Sequence, residues 1–327
     1  MEAAEQQAQA AQALFLQRLQ YHLPPGIPLM VALADALGLS KSVAYKKVNG
    51  ESPLSTAQLQ HLCNHFECSY HLQGYQHRQE AFVDFTPFYK NNIGVAQYIG
   101  GLKKFLTQIA RAQPNQLTCA TDDIPIFHLF KYPELTAFKL HFWQLRVVDN
   151  APFVLNMNDW SPTLLGEAAQ LHNIYNQIPS TEIWTSSSLL NTIDQVKHAA
   201  DSAMITDRGL GRAICPQLRQ ALADIEGCAI NKTKSAEKAI AFDWYFYDII
   251  GSITYLADMN GTLATYIRFN TFNTIHEENG PLSVEVKHWL ENLKQDATGF
   301  SGQGSLHRNR YLAHAYEACD AMIATFK

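Results

Sequence analysis

Apolar side chains recur at helical spacing over the first quarter of the chain. Leu14, Phe15, Leu19 and Leu23 mark one face of a helix over residues 12–23, and Pro24-Pro25-Gly26 stops it. Residues 29–37 and 40–49 predict a second and a third helix, after which Asn49-Gly50 signals a turn. Ser55 or Thr56 caps a fourth, with Leu59, Leu62, Cys63 and Phe66 on its inner face. The second and third helices are separated only by the short Gly38-Leu39-Ser40 link. Ala34 is small where they would cross, Gly38 can adopt the positive φ of a tight helix end, and Ser40 can cap the next helix.

Residues 70–90 lose this periodicity and contain Gly74 and Pro87. Beyond them helices are predicted over residues 95–112, 133–148, 162–177, 189–203 and 210–227, with a short strand at 117–120. Pro125 keeps the apolar run Ile124 to Phe130 off a central strand position. Residues 242–250, 252–258 and 262–270 are aromatic and β-branched, and Asn260-Gly261 joins the last two as a hairpin. They read as an antiparallel meander, followed by helices over 282–297 and about 306–326. The expected fold class is α+β: a small all-α domain (1–75), a linker (76–90), and a larger, mainly helical domain carrying the meander (91–327).

The first four helices have the pattern of a helix-turn-helix. On the third, Ala44 and Val48 lie four residues apart and face inward. Ser40, Lys41, Ser42, Tyr45, Lys46 and Lys47 form a polar, cationic set suited to base edges and phosphates. Composition qualifies this picture. The 327 residues carry a formal net charge of −5, so the cations needed for phosphate contact must be concentrated locally and multiplied by dimerisation. A hydrophobic fraction of 47% with 17% charged residues is enough for a large core. Six scattered cysteines predict reduced thiols, and the absence of a long apolar run and of a basic leader predicts a cytoplasmic protein without membrane contact.

The segments Ala34-Asp35-Ala36-Leu37-Gly38-Leu39-Ser40 and Ser42-Val43-Ala44-Tyr45-Lys46-Lys47-Val48-Asn49-Gly50-Glu51 resemble bacterial, phage-repressor-like helix-turn-helix transcription regulators with a long C-terminal domain. The resemblance extends through Asp123 to His128, Pro133 to Leu140 with Trp143, Glu182-Ile183-Trp184 and Arg308-Asn309-Arg310. It implies transcription regulation by the first domain and supplies no ligand or reaction for the second. A bulky aliphatic residue is usual where Ala44 stands, so inward packing is expected to rest on Val48 and Val43.

Other constellations have plainer readings. His61, Cys63, His65, Cys68 and His71 include metal-ligand spacings, but Cys63 is needed for packing and exposed histidines are common, so no metal is assigned. Ser305, Arg308 and Arg310 follow a glycine-rich loop at a helix start. They form a candidate anion site against a plain helix cap. The aromatics Phe242, Trp244, Tyr245, Tyr247, Tyr255, Tyr266 and Phe269 read as core more than as a pocket lining. No catalytic residue or cofactor is indicated. The expected function is a sequence-specific DNA-binding transcription regulator. Its second domain dimerises and responds to an effector or partner, and double-stranded DNA is the partner of the first. The alternative is a nucleotide- or anion-responsive effector or enzyme that uses the N-terminal helices as an adaptor.

Overall fold

The computed structural model describes residues 2–23, 26–66, 68, 70, 81, 83, 94–148, 151–235, 237–248 and 251–326. They fall into two compact units, Met1–Glu80 and Ala81–Lys327. Apart from Ala81 and Val83, the linker expected at 76–90 lies outside the described residues from Gln76 to Lys90.

In the first unit α1 (Glu2–His22), α2 (Leu29–Leu37), α3 (Lys41–Val48) and α4 (Thr56–Phe66) follow in order. α1 begins well before the expected residue 12, because the Ala/Gln-rich start consists of good helix formers. Phe15, Leu16 and Leu19 of α1 meet Leu33, Ala44, Leu54 and Leu62 in one apolar cluster. Gly38 closes α2 at φ 62°, its N–H turned back to the carbonyls of Ala34 and Asp35. α4 opens with a reciprocal cap: Gln58 N–H donates to Ser55 Oγ at 3.2 Å and Ser55 N–H to Gln58 Oε1 at 3.1 Å.

The second unit runs α5 (Val95–Arg111), β1 (Asn115–Thr121), α6 (Ile126–Leu129), α7 (Pro133–Gln144), α8 (Pro162–Tyr175), β2 (Ser180–Trp184), α9 (Ser187–Asp201), α10 (Arg208–Asn231), β3 (Phe242–Phe246), β4 (Thr254–Met259), β5 (Thr262–Arg268), β6 (Thr274–Glu278), α11 (Pro281–Asp296), β7 (Thr298–Gly299) and α12 (Leu306–Thr325). Its sheet has the order β6-β5-β4-β1-β2-β3-β7. β1, β2 and β3 are parallel, and the outer pairings are antiparallel. The class is α+β, as expected.

The meander is displaced from its expected place. It consists of β4, β5 and β6, whereas β3 pairs in parallel with β2 at the other side of β1. β2 is a strand that periodicity does not reveal. All five residues of Ser-Thr-Glu-Ile-Trp are buried, yet three are polar, so there is neither alternation nor an apolar run. Asn260 and Gly261, at φ 56° and 86°, make the expected hairpin turn.

Register separates the two sheet faces. Ala120, Ile183 and Leu256 pack under Val286, Leu290 and Leu293 of α11. Cys119 and Glu182, paired in register, turn to the opposite face with Tyr255, where Phe127 of α6 and Tyr175 of α8 stack with ring centroids 5.0 Å apart. Phe242 and Trp244 are fully buried there, in keeping with their expected role in the core. Among the described residues no helix is long and apolar enough to cross a membrane.

Candidate nucleic-acid interface

α3 is eight residues long and divides by helical spacing into two faces. Lys41, Ser42, Tyr45, Lys46 and the cap residue Asn49 are exposed or partly so, a set with steps of one, three or four residues that shares one side. Ala44, Lys47 and Val48 form the inner side, with Ala44 fully buried and Val48 partly so. Ser40 is exposed and its hydroxyl accepts from Val43 N–H at 3.4 Å, which gives one of the orphan amides of α3 a partner. Val43 stands outward at 39% exposure, so it does not supply the inward packing expected of it. Ala44 does so itself, packed in one cluster with Leu33 and Leu62, where a methyl group is enough.

Lys47 departs from the expected contact set. It is 7% exposed, and its ammonium donates to the Pro53 carbonyl at 2.7 Å. Three residues beyond Ala44 it falls on the inner face, a position that the spacing Ala44, Lys47, Val48 already implies. The exposed cations of α3 are therefore Lys41 and Lys46. Gln12 of α1 is the residue that sequence reasoning missed. Its amide is 7% exposed and bonds to Lys47, Ser52 and Leu54, partners 35 to 42 positions away, for which local pattern gives no signal.

Of the expected anion set, Ser305 and Arg308 are engaged within the chain itself. Ser305 Oγ accepts from Arg308 N–H at 3.3 Å and caps α12. The Arg308 guanidinium is 2% exposed, with Nη1 donating to the carbonyls of Phe300 and Gly302 at 2.7 Å each. It is turned into its own loop, where Nη1 bridges two carbonyls while the buried Nε has no hydrogen-bond partner among the described residues. Arg310 alone of the two arginines is exposed.

Of the metal-ligand spacing, His61 and His65 stack on the exposed face of α4 with centroids 6.1 Å apart, while Cys63 packs on the core. His71 lies outside the described residues. Among the described residues no group of three or more His, Cys, Asp or Glu side chains comes together in a way that could hold a metal ion.

The second unit buries two polar clusters. At the end of β1, Lys139 Nζ lies 2.8 Å from Asp123 Oδ2, 2.7 Å from Thr192 Oγ1 and 2.8 Å from Gln195 Oε1. Burial lowers this lysine below its usual range, opposed by the Asp123 carboxylate. Midway along β2, Glu182 receives the Trp184 indole N–H at 2.8 Å, faces His128 Nε2 at 2.8 Å and accepts from the Tyr175 hydroxyl. Burial pushes the Glu182 carboxyl up, but His128, Lys234 and Tyr175 together hold it below the usual carboxylate range. Lys234 donates to the carbonyls of Tyr175 and Ile178 at 3.1 and 2.9 Å, and burial lowers it to about 7. These groups are spent on one another and on strand and helix ends, the pattern of a satisfied core.

Residues 29–81 match the model of the BetR domain, a helix-turn-helix type of DNA-binding domain. That span contains α2, α3 and α4. No curated protein and no solved structure matches the chain.

Proposed function

We propose that this chain is a sequence-specific, DNA-binding transcription regulator acting in the cytoplasm. Its α3 enters the major groove of double-stranded DNA, and its second unit dimerises and answers to an effector or partner. The observation that carries the reading is the two-faced α3, with Lys41, Ser42, Tyr45 and Lys46 together on the exposed side of a capped helix inside the matched domain. Lys41 and Lys46 meet phosphates, while Ser42 and Tyr45 can reach base edges. Two exposed cations on one short helix give a small electrostatic contribution, and a net charge of −5 does not add to it. Pairing of two copies on two half-sites doubles the contacts, and a change in their spacing would couple an effector to binding.

The test is selection of genomic fragments by the full-length chain, followed by affinity measurements on the selected DNA over a range of salt. Lys41→Glu with Lys46→Glu is expected to abolish retention of the selected fragments. Unchanged affinity and salt slope in that variant would refute the reading. The alternative of a nucleotide- or anion-responsive effector or enzyme has less support, since Arg308 Nη1 is turned to the Phe300 and Gly302 carbonyls of its own loop.

A further inference from the structure

α3 is about 12 Å long at 1.5 Å per residue, and base readout needs side chains held to roughly 0.5 Å and 10–20°. Its apolar anchoring is slight: Ala44 contributes a methyl group and Val48 is only partly buried. A groove of about 570 Å³ lies between α1 and the turn after α3, with Gln9 and Gln12 on one side and Asn49, Gly50 and Glu51 on the other, and Gln9 Nε2 reaches across it to the Gly50 carbonyl at 3.4 Å. Apolar packing thus does not close this side of the helix. Hydrogen bonds do. Gln12 Nε2 donates to the Lys47 carbonyl at 2.8 Å and the Ser52 carbonyl at 3.0 Å, while its Oε1 accepts from Leu54 N–H at 2.6 Å. One buried amide thereby ties the last turn of α3 to the chain on the far side of the turn. The Lys47 ammonium closes the same loop through Pro53.

We infer that Gln12 is a positioning residue for DNA recognition: from α1, outside the helix-turn-helix itself, it fixes the tilt and rotation at which α3 presents Ser42, Tyr45 and Lys46. This rests on the DNA-binding reading above. The amide suits the task because it offers two donors and an acceptor without charge, so all three main-chain groups are satisfied in a buried place. A carboxylate would meet the two carbonyls without a proton to share. An apolar side chain would take the side-chain partner from the Ser52 carbonyl and the Leu54 N–H and leave the Lys47 carbonyl to its backbone donor, Gly50 N–H. The clamp touches no DNA, so it contributes to discrimination between sequences and not to the charge that draws the chain to any duplex.

The experiment compares the wild-type full-length chain with Gln12→Met, using a fragment the wild type selects and a scrambled duplex of equal length. The expected result is a fall of at least about tenfold in the ratio of specific to non-specific affinity, the scale of one mismatched base pair. Non-specific affinity and its salt slope should be unchanged, and Gln6→Ala, an exposed position on the same groove-lining stretch of α1, should leave the ratio intact. A merely destabilised module would lose both affinities together, which overturns the inference. So does an unchanged ratio in a folded variant. Should Gln12→Met fail to fold, amide exchange in the wild type decides: Leu54 N–H is expected to gain protection together with the last turn of α3 when the selected DNA is added. A Leu54 amide indifferent to DNA overturns the clamp. A wild type that prefers no sequence refutes instead the DNA reading beneath it.

Discussion

Lys139 of α7 and Asp123 after β1 form an ion pair of 2.8 Å whose side chains are 0% and 6% exposed. Thr192 adds a second support, donating to Asp123 Oδ1 at 2.8 Å. Breaking one half of such a pair leaves a buried charge without its partner, which costs about 3–5 kcal/mol. Lys139→Met is therefore expected to destabilise the second unit by that order in urea melts. Lys139→Met with Asp123→Asn should recover part of the loss, because no charge then remains to be solvated. Equal losses in the two variants would show that packing, not the pairing, carries the effect.

On α3 the two neighbouring lysines should separate cleanly. Lys46→Gln removes an exposed cation and is expected to lower the salt slope of DNA binding by about one for each phosphate left without its cation, with melting unchanged. Lys47→Met removes the bond to Pro53 and should lower the stability of the first unit by about 1 kcal/mol, leaving the slope intact. A slope that responds to Lys47 and not to Lys46 would reverse the assignment of faces.

The buried ammonium of Lys234 sets a pH dependence. Its value in the folded chain is lowered to about 7 from 10.5, so between these the unfolded chain binds more protons than the folded one. Stability accordingly rises with pH across that window and is lost as pH falls to about 7. His141 and His172, both lowered from 6.5 chiefly by burial, extend the loss below that pH. The measurement is denaturant stability at intervals from pH 7 to 9, up to the ordinary ionisation of cysteine thiols at 9.0. Lys234→Met should flatten the rise, and a slope unaffected by this change would remove Lys234 as its source.

At the loop before α12, Arg308→Met deprives the Phe300 and Gly302 carbonyls of their charged donor, at a cost of about 1.5–3 kcal/mol per bond. Calorimetry should show a lowered melting temperature, while Arg310→Ala leaves it in place. Inorganic phosphate is expected to shift neither variant nor the wild type. A wild-type shift in phosphate that Arg308→Met abolishes would restore the anion reading.

Local chemistry makes the first unit legible. Gly38, Ser40 and Ser55 act within three or four residues of themselves, and Ala44 with Val48 marks the inner face of α3. Lys47 defies a reading by residue type, because its charge argues for the surface while its spacing places it inside. Gln12 is invisible because its partners lie beyond any helical period. In the second unit the Asn260-Gly261 hairpin is readable for the same local reason. β2 is not, since Glu182 is polar by composition and buried through contacts from α6 and α8, tens of residues upstream or a few residues before it. The parallel pairing of β1, β2 and β3 depends on crossovers, and no short window contains it.

The two-sidedness of α3 also defines an exchangeable cassette. On the proposed DNA-binding function, positions 41, 42, 45, 46 and 49 would be rewritten as a set to redirect recognition, with Ala44, Lys47 and Val48 kept and Gln12 left on α1. A graft of the entire helix from another regulator would bring its own residue at position 47. Unless that residue can again donate to the Pro53 carbonyl, the graft would lose the loop that closes the turn after α3 and with it part of the stability of the first unit.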